Sequence, residues 1–256
     1  MSQPVVFDRP LQSEFRLARE EFLRRVLPPW QSALGLRSAL DVGCGVGHFS
    51  ALLRDLQLQV TAFDGRPENI AEARKRHAGV DFRVADAEEF ASSSSGVFDL
   101  VLCFGLLYHL ENPMRGMRNL RALTGKLLLL ESMMVEDDQP FLLLLDEPAG
   151  DDQSLRAVSC YPSEGAIIKM AYRAGFPHVY RFRQLPDHQD FRPGIGRARA
   201  RTVIAASVSA LDAPALLPAT EPKPSGDLWT TDPTGITKAL RRLGRNFRHS
   251  RAKKRS

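Results

Sequence analysis

Along the first thirty residues, Leu11, Phe15, Ala18, Phe22 and Val26 recur at helical spacing, and Pro28-Pro29 stops the pattern. The spacing predicts an amphipathic cap helix within residues 1–36, laid against the rest of the chain. From Ser38 the pattern changes to short apolar runs alternating with helical periodicity. Ser38–Val42, Leu58–Phe63, Val80–Ala85, Phe98–Phe104 and Lys126–Leu130 read as strands, and Gly47–Leu56, Pro67–Ala78 and Pro113–Leu123 as the helices between them. Pro67 near the start and Gly79 just past the end of the second of these helices agree with that reading. Strands and helices alternating at such intervals predict an α/β domain with a parallel sheet, helices on both faces, and the carboxyl ends of the strands on one ligand-binding edge.

The rhythm breaks at 133–161, where acidic stretches flank the apolar run Phe141–Leu145, so this segment is expected to be an insertion covering the substrate side. Pro162–Ala174 returns to helix, and His178–Phe182 and Arg201–Ser207 to strand. The loop Pro186–Gly196 between those strands is long enough to carry function or to be disordered. The main domain is thus expected over 37–210. Residues 211–234, rich in Pro, Ala, Thr and Asp, read as a linker. Residues 235–256 form a basic tail in which Ile236, Leu240, Leu243 and Phe247 share one helical face.

The net charge of +5 resides in that tail, which holds nine Lys or Arg and no acid, leaving 26 basic against 30 acidic residues before it. A mildly acidic body argues against a basic binding groove on the domain. The tail itself is compatible with a solvated end, an anionic membrane surface or nucleic acid phosphates, although Phe247 alone provides no interleaved stacking. No apolar run reaches the ~18–20 residues that cross a bilayer, and Met1–Pro10 lacks the apolar segment of a secretory signal. Cys44, Cys103 and Cys160 are widely spaced, without a C-x-x-C pair. A reduced cytoplasmic protein, peripheral at a membrane if the tail binds one, with no disulfide and no metal site, is the expectation.

The most specific stretch is Leu40-Asp41-Val42-Gly43-Cys44-Gly45-Val46-Gly47. An apolar strand ends in an acid, and glycines on alternate positions let the backbone turn sharply and approach a ligand closely. Dinucleotide loops read G-x-G-x-x-G; this one reads D-x-G-x-G-x-G, which disfavours a nicotinamide-dependent oxidoreductase. Asp64, ending the second strand, is placed to accept hydrogen bonds from both hydroxyls of a ribose. Asp86, followed by Ala87, ends the third strand. Each acid alone could be a helix cap, but three acids at three consecutive strand ends, in register with the glycine loop, point to an adenosine-like ligand.

Together these residues resemble the cofactor site of class I S-adenosylmethionine-dependent methyltransferases over residues 38 to 208. The resemblance implies a Rossmann-like, seven-stranded, mostly parallel sheet and S-adenosyl-L-methionine as cofactor. It assigns Asp41, Gly43, Gly45 and Gly47 to the methionine part, Asp64 to the ribose, and Asp86 with Ala87 to the adenine. The strand-end segment Phe104-Gly105-Leu106-Leu107-Tyr108-His109-Leu110-Glu111-Asn112-Pro113 lacks the Asn-Pro-Pro-Tyr run of enzymes that methylate exocyclic amines and glutamine amides. It is similar to the transferases that complete wobble-uridine oxyacetic modification in tRNA, and a Tyr-His pair there is also frequent among small-molecule methyltransferases. A hydroxyl acceptor benefits from a base, so His109 and Tyr108 are the candidate catalytic residues, with His109 otherwise a residue packing the next helix. Glu131, ending the fifth strand, is a weaker candidate for substrate contact and reads more simply as a solvated acid. The expectation is methyl transfer to oxygen on a small molecule or glycan. A tRNA-modifying enzyme and a catalytically silent methyltransferase-like scaffold are the alternatives, and oligomeric state is left open.

Overall fold

The computed structural model describes residues 10–90, 96–137, 139–147, 154–192 and 200–223, with side chains from residue 13. The basic tail 235–256 and the second half of the expected linker lie outside the described residues. The elements run α1 (Pro10–Leu34), β1 (Ser38–Val42), α2 (His48–Asp55), β2 (Gln59–Asp64), α3 (Pro67–Arg76), β3 (Asp81–Val84), β4 (Phe98–Phe104), α4 (Pro113–Leu123) and β5 (Thr124–Met134). They continue through β6 (Leu142–Asp146), β7 (Val158–Pro162), α5 (Glu164–Ala174), β8 (His178–Phe182), β9 (Ala200–Ser207) and β10 (Leu216–Pro218).

The main sheet has the order β10-β8-β9-β5-β4-β1-β2-β3. Strands β1 to β5 pair in parallel, whereas β9 runs antiparallel to β5 and to β8, and β10 antiparallel to β8. The central strands are apolar along most of their length because both faces are covered, as expected of a parallel sheet. In β4, Leu100, Leu102 and Phe104 face a core built with Phe22, Leu23, Leu27 and Trp30 of α1 and Phe49 and Leu53 of α2. Val101 and Cys103 face the opposite core, built with Met117 and Leu120 of α4 and Ile167, Ile168 and Ala171 of α5. Helix α5 starts where the Ser163 hydroxyl accepts the Ala166 amide at 3.1 Å, and ends at Gly175, whose φ of +102° suits only glycine.

Three expectations are corrected. First, Pro28-Pro29 do not end α1, which continues to Leu34. Each proline forgoes an amide hydrogen bond, but Val26, Leu27 and Trp30 are buried on either side of the pair, and Trp30 packs against Phe182 with ring centroids 5.7 Å apart. That burial holds the helical path across the gap. Second, the sheet has eight strands rather than seven. The extra strand, β10, comes from the segment assigned to a linker: Leu216 is buried in the core, Ala219 N donates to Val179 O at 2.8 Å, and the Tyr172 hydroxyl donates to Ala219 O at 2.6 Å. Composition rich in Pro and Ala concealed it because an edge strand needs only one paired side. Third, Glu131 is not a solvated strand end. Strand β5 continues to Met134, and Glu131 is fully buried beneath α1.

Within 133–161, strands β6 and β7 form an antiparallel hairpin pairing Leu142–Asp146 with Val158–Pro162. Its Leu143, Leu145 and Tyr161 pack on Tyr108 and Val135, above the carboxyl ends of β4 and β5.

If β10 contributes to the core, Leu216→Ala should lower the unfolding free energy by about 2 kcal/mol or more. Urea denaturation checks this; a change within about 0.5 kcal/mol would return the segment to a surface linker.

Candidate active site

The glycine loop turns out of β1 and is stitched to the end of β2. Gly43 N and Cys44 N both donate to Phe63 O, at 2.8 and 3.0 Å, and Gly45 N donates to Asp64 Oδ2 at 3.0 Å. Two positions exclude a side chain. At Gly47, with φ +86°, a Cβ would lie 2.8 Å from the Phe82 ring; at Gly43, with φ +73°, it would lie 3.0 Å from Leu106. Gly47 passes directly into α2.

Asp64 is held in one orientation. Its Oδ1 accepts Arg66 N at 2.9 Å and Asn69 Nδ2 at 3.0 Å, while Oδ2 takes the Gly45 amide. A carboxylate offers about four acceptor positions, so the loop organises this one while leaving it room for a further donor. Asp86 Oδ1 accepts Glu88 N at 2.8 Å, and Oδ2 accepts Arg156 Nη2 at 2.9 Å. Gly43, Asp64, Asp86, Ala87 and His109 line one pocket, with about 440 Å³ of empty space that is partly open to solvent. Asp41, Gly45 and Gly47 support the pocket without lining it.

The pair Tyr108 and His109 sits in a 3-10 turn, Leu107–His109, directly after β4. The two side chains serve different neighbourhoods. His109 lines the pocket: its Nδ1 lies 3.0 Å from the Glu147 carboxylate, and its buried Nε2 has no hydrogen-bond partner among the described residues. Tyr108 does not line it. Its hydroxyl accepts from Arg201 Nη2 at 3.3 Å and its ring packs against Tyr161.

Sequence patterning missed several contributors. Glu147 lies in the insertion, 38 residues from His109, and also accepts Ser159 Oγ at 3.0 Å and Ser154 N at 3.2 Å. Buried Glu88 accepts the amides of Glu111 and Asn112, at 2.9 and 3.1 Å, and so fixes the chain after the Tyr-His turn to the loop after β3. Glu131 lies between two guanidiniums, Arg201 Nη1 at 2.8 Å and Arg19 Nη1 at 3.3 Å, with the Phe15 ring against both. Burial lowers the Arg19 pKa to about 10 despite Glu131. Burial also acts against the Arg201 charge, but Tyr108 and Glu131 hold its pKa above the ordinary value. Both remain cationic at neutral pH. No local periodicity brings residues 19, 131 and 201 together, and only the α1 and β9 packing reveals the group.

Burial also raises the thiol pKa values of Cys44 and Cys103, making them poor nucleophiles. Asp41 is buried at the end of β1, where burial pushes its pKa from 3.8 to about 7; the hydrogen bond from Ser50 Oγ, 2.6 Å, opposes the rise, and nearby Asp64 adds to it. The fold therefore favours protonated Asp41. Its contribution to stability is full below the unfolded pKa near 4 and is lost as pH rises through about 7. Asp41→Asn should escape that loss, so its stability relative to wild type should rise by about 2 kcal/mol between pH 5 and pH 8. Denaturant unfolding at the two pH values tests this, and a constant difference would contradict it.

A family model described as a methyltransferase domain matches residues 12–180, more than half of the chain. Among curated proteins, the ubiquinone biosynthesis O-methyltransferase of Xanthomonas campestris pv. campestris (strain B100) is 40% identical over 79 residues, 29% of this chain and 33% of that protein. The protein of the same description from Xanthomonas oryzae pv. oryzae (strain PXO99A) is 41% identical over 78 residues, with the same coverage. The chain spans about a third of the length of these relatives. Among solved structures, the N-terminal domain of EvdMO1 with SAH bound superposes with a TM-score of 0.61 at 20% identity, over 73% of this chain and 80% of that one. The SAM-bound amino pentose methyltransferase CalS10 from Micromonospora echinaspora gives 0.53 at 17%, over 81% and 100%. At such identities the likeness is one of fold. With the family model matching more than half of the chain, and that fold, the glycine loop and the strand-end acids in place, the chain belongs to the methyltransferase-domain family.

Proposed function

We propose that the protein transfers a methyl group to a hydroxyl oxygen of a small molecule or glycan, with His109 as the base. The observation that carries this reading is the imidazole itself: it lines the same pocket as Asp64 and Asp86, Glu147 holds Nδ1, and Nε2 is buried without a partner among the described residues. A carboxylate on Nδ1 fixes the proton there, which leaves Nε2 as the acceptor. A buried ring nitrogen without a partner is costly, and an acceptor hydroxyl would satisfy it while losing its proton to it.

The residues fit the cofactor that the family requires. Asp64 and Asp86 are acceptors already oriented at adjacent strand ends, and Gly43 leaves the space that a Cβ would fill. Bound S-adenosylmethionine supplies an electrophilic methyl for in-line displacement, so the chain needs chiefly to orient the acceptor and hold its proton. His109 can receive that proton at Nε2, with the buried Glu147 carboxylate stabilising the resulting imidazolium. The hairpin β6–β7 over the Tyr-His turn excludes water from this side. The O-methyltransferase description of the curated relatives supports an oxygen acceptor, and the amino pentose named for CalS10 supports a small acceptor.

A panel of hydroxylated small molecules and glycans, each paired with its amine counterpart, should accept labelled methyl at the hydroxyl; transfer confined to amines would overturn the reading. With an accepted substrate, His109→Ala should reduce kcat by about 10²-fold or more while S-adenosylhomocysteine affinity stays within a few-fold. A loss of only a few-fold in kcat would remove His109 as the base.

A further inference from the structure

The segment Ser154–Arg156, directly before β7, lines the same pocket as Asp64 and Asp86 although it lies far outside the glycine-loop pattern. Leu155 packs so closely on Gly65 that a Cβ there would sit 2.5 Å from Leu155 Cδ1. Ser154 O accepts Arg66 Nη2 at 2.9 Å. Arg156 faces four carboxylates, those of Asp86 at 2.9 Å, Glu111 at 3.2 Å, Glu88 at 3.7 Å and Glu89 at 3.8 Å.

We propose that Ser154–Arg156 is the outer wall of the adenosine pocket, in which Leu155 packs against the nucleoside and Arg156 sets the Asp86 carboxylate to receive the adenine amino group. The inference rests on the cofactor lying in this pocket as set out under Proposed function. Leu155 is 48% exposed, and a large apolar side chain left open at a pocket mouth is a surface that a flat, largely apolar ring buries. Asp86 has one oxygen taken by Glu88 N and the other by Arg156, which fixes the carboxylate plane and leaves a lone pair on Oδ2. Without Arg156, four acids would crowd the rim uncompensated and repel one another. The wall also reaches the chemistry: Ser154 N donates to Glu147 Oε2 at 3.2 Å, and Glu147 holds His109. One carboxylate thereby serves both the wall and the imidazole, so Glu147 is a positioning residue for both.

Calorimetric titration of the full chain with S-adenosylhomocysteine, and with 5′-methylthioadenosine, which keeps the adenosine but not the amino acid, tests the wall. Leu155 is half exposed, so Leu155→Ala should keep the wild-type Tm without ligand, whereas Arg156→Gln, which leaves four acids uncompensated, should lower it, and binding is compared at a temperature where every variant is folded. Both should weaken S-adenosylhomocysteine by about tenfold and methylthioadenosine by a similar factor, with Arg156→Lys intermediate. A change below about twofold in both variants, or tighter binding by Arg156→Gln, would overturn the proposal. Weakening of S-adenosylhomocysteine alone would also overturn it, because the loss would then lie at the amino-acid half. Failure of the wild type to bind S-adenosylhomocysteine would instead remove the methyl-transfer reading, and the wall with it.

Discussion

Strands β1, β4 and β5 are buried on both faces, and this constraint organises everything at the site. A side chain on such a strand meets either the α1 and α2 core or the α4 and α5 core, so a polar group has little place along its length unless paired. Chemistry is thereby confined to strand ends and to the loops that leave them. Parallel pairing of β1 to β5 puts those ends on one edge. Asp41, Asp64, Asp86 and the Tyr-His turn become neighbours through topology, not through any local attraction between them.

At that edge the acids act first as joints. Asp64 ties the glycine loop to the start of α3, Glu88 ties the loop after β3 to the chain entering α4, and Glu147 ties the hairpin to His109. Each carboxylate accepts two or three donors, a geometry that fixes its orientation before any ligand arrives. Preorganised acceptors cost less to bring into a complex than mobile ones. Glu131, between Arg19 and Arg201, is a buried ionic group whose desolvation consumes much of its attraction. It pins α1 and β9 to β5 and sets the position of Tyr108, which explains why Tyr108 turns away from the pocket that His109 lines.

The hairpin β6–β7 has the largest functional reach for its size. Its inner side chains cover Tyr108, its Glu147 holds the imidazole, and the residues leading into β7 reach Gly65, Arg66 and Asp86. An element inserted between the fifth strand and the last helix of the core thus touches both the His109 side and the Asp86 side of the pocket. Such insertions can vary without disturbing the sheet, since the two cores are built by the main sheet and its flanking helices.

The alternation of apolar runs and helical periods determined the order of strands and helices through β5, the covering of both sheet faces and the edge on which the site forms. The glycine spacing with Asp64 and Asp86 determined the family. These features are local: a turn that needs glycine, or a strand that needs apolar residues at every position, is written in consecutive residues. What tertiary structure decided is long-range pairing. Glu147 with His109, Arg156 with Asp86, and Arg19 and Arg201 with Glu131 join residues 38 to 112 positions apart, and no sequence period encodes such a distance. The passage of α1 through Pro28-Pro29 and the pairing of β10 were hidden for the same reason. In each, burial against a distant partner overrode a local signal, proline in one case and linker-like composition in the other.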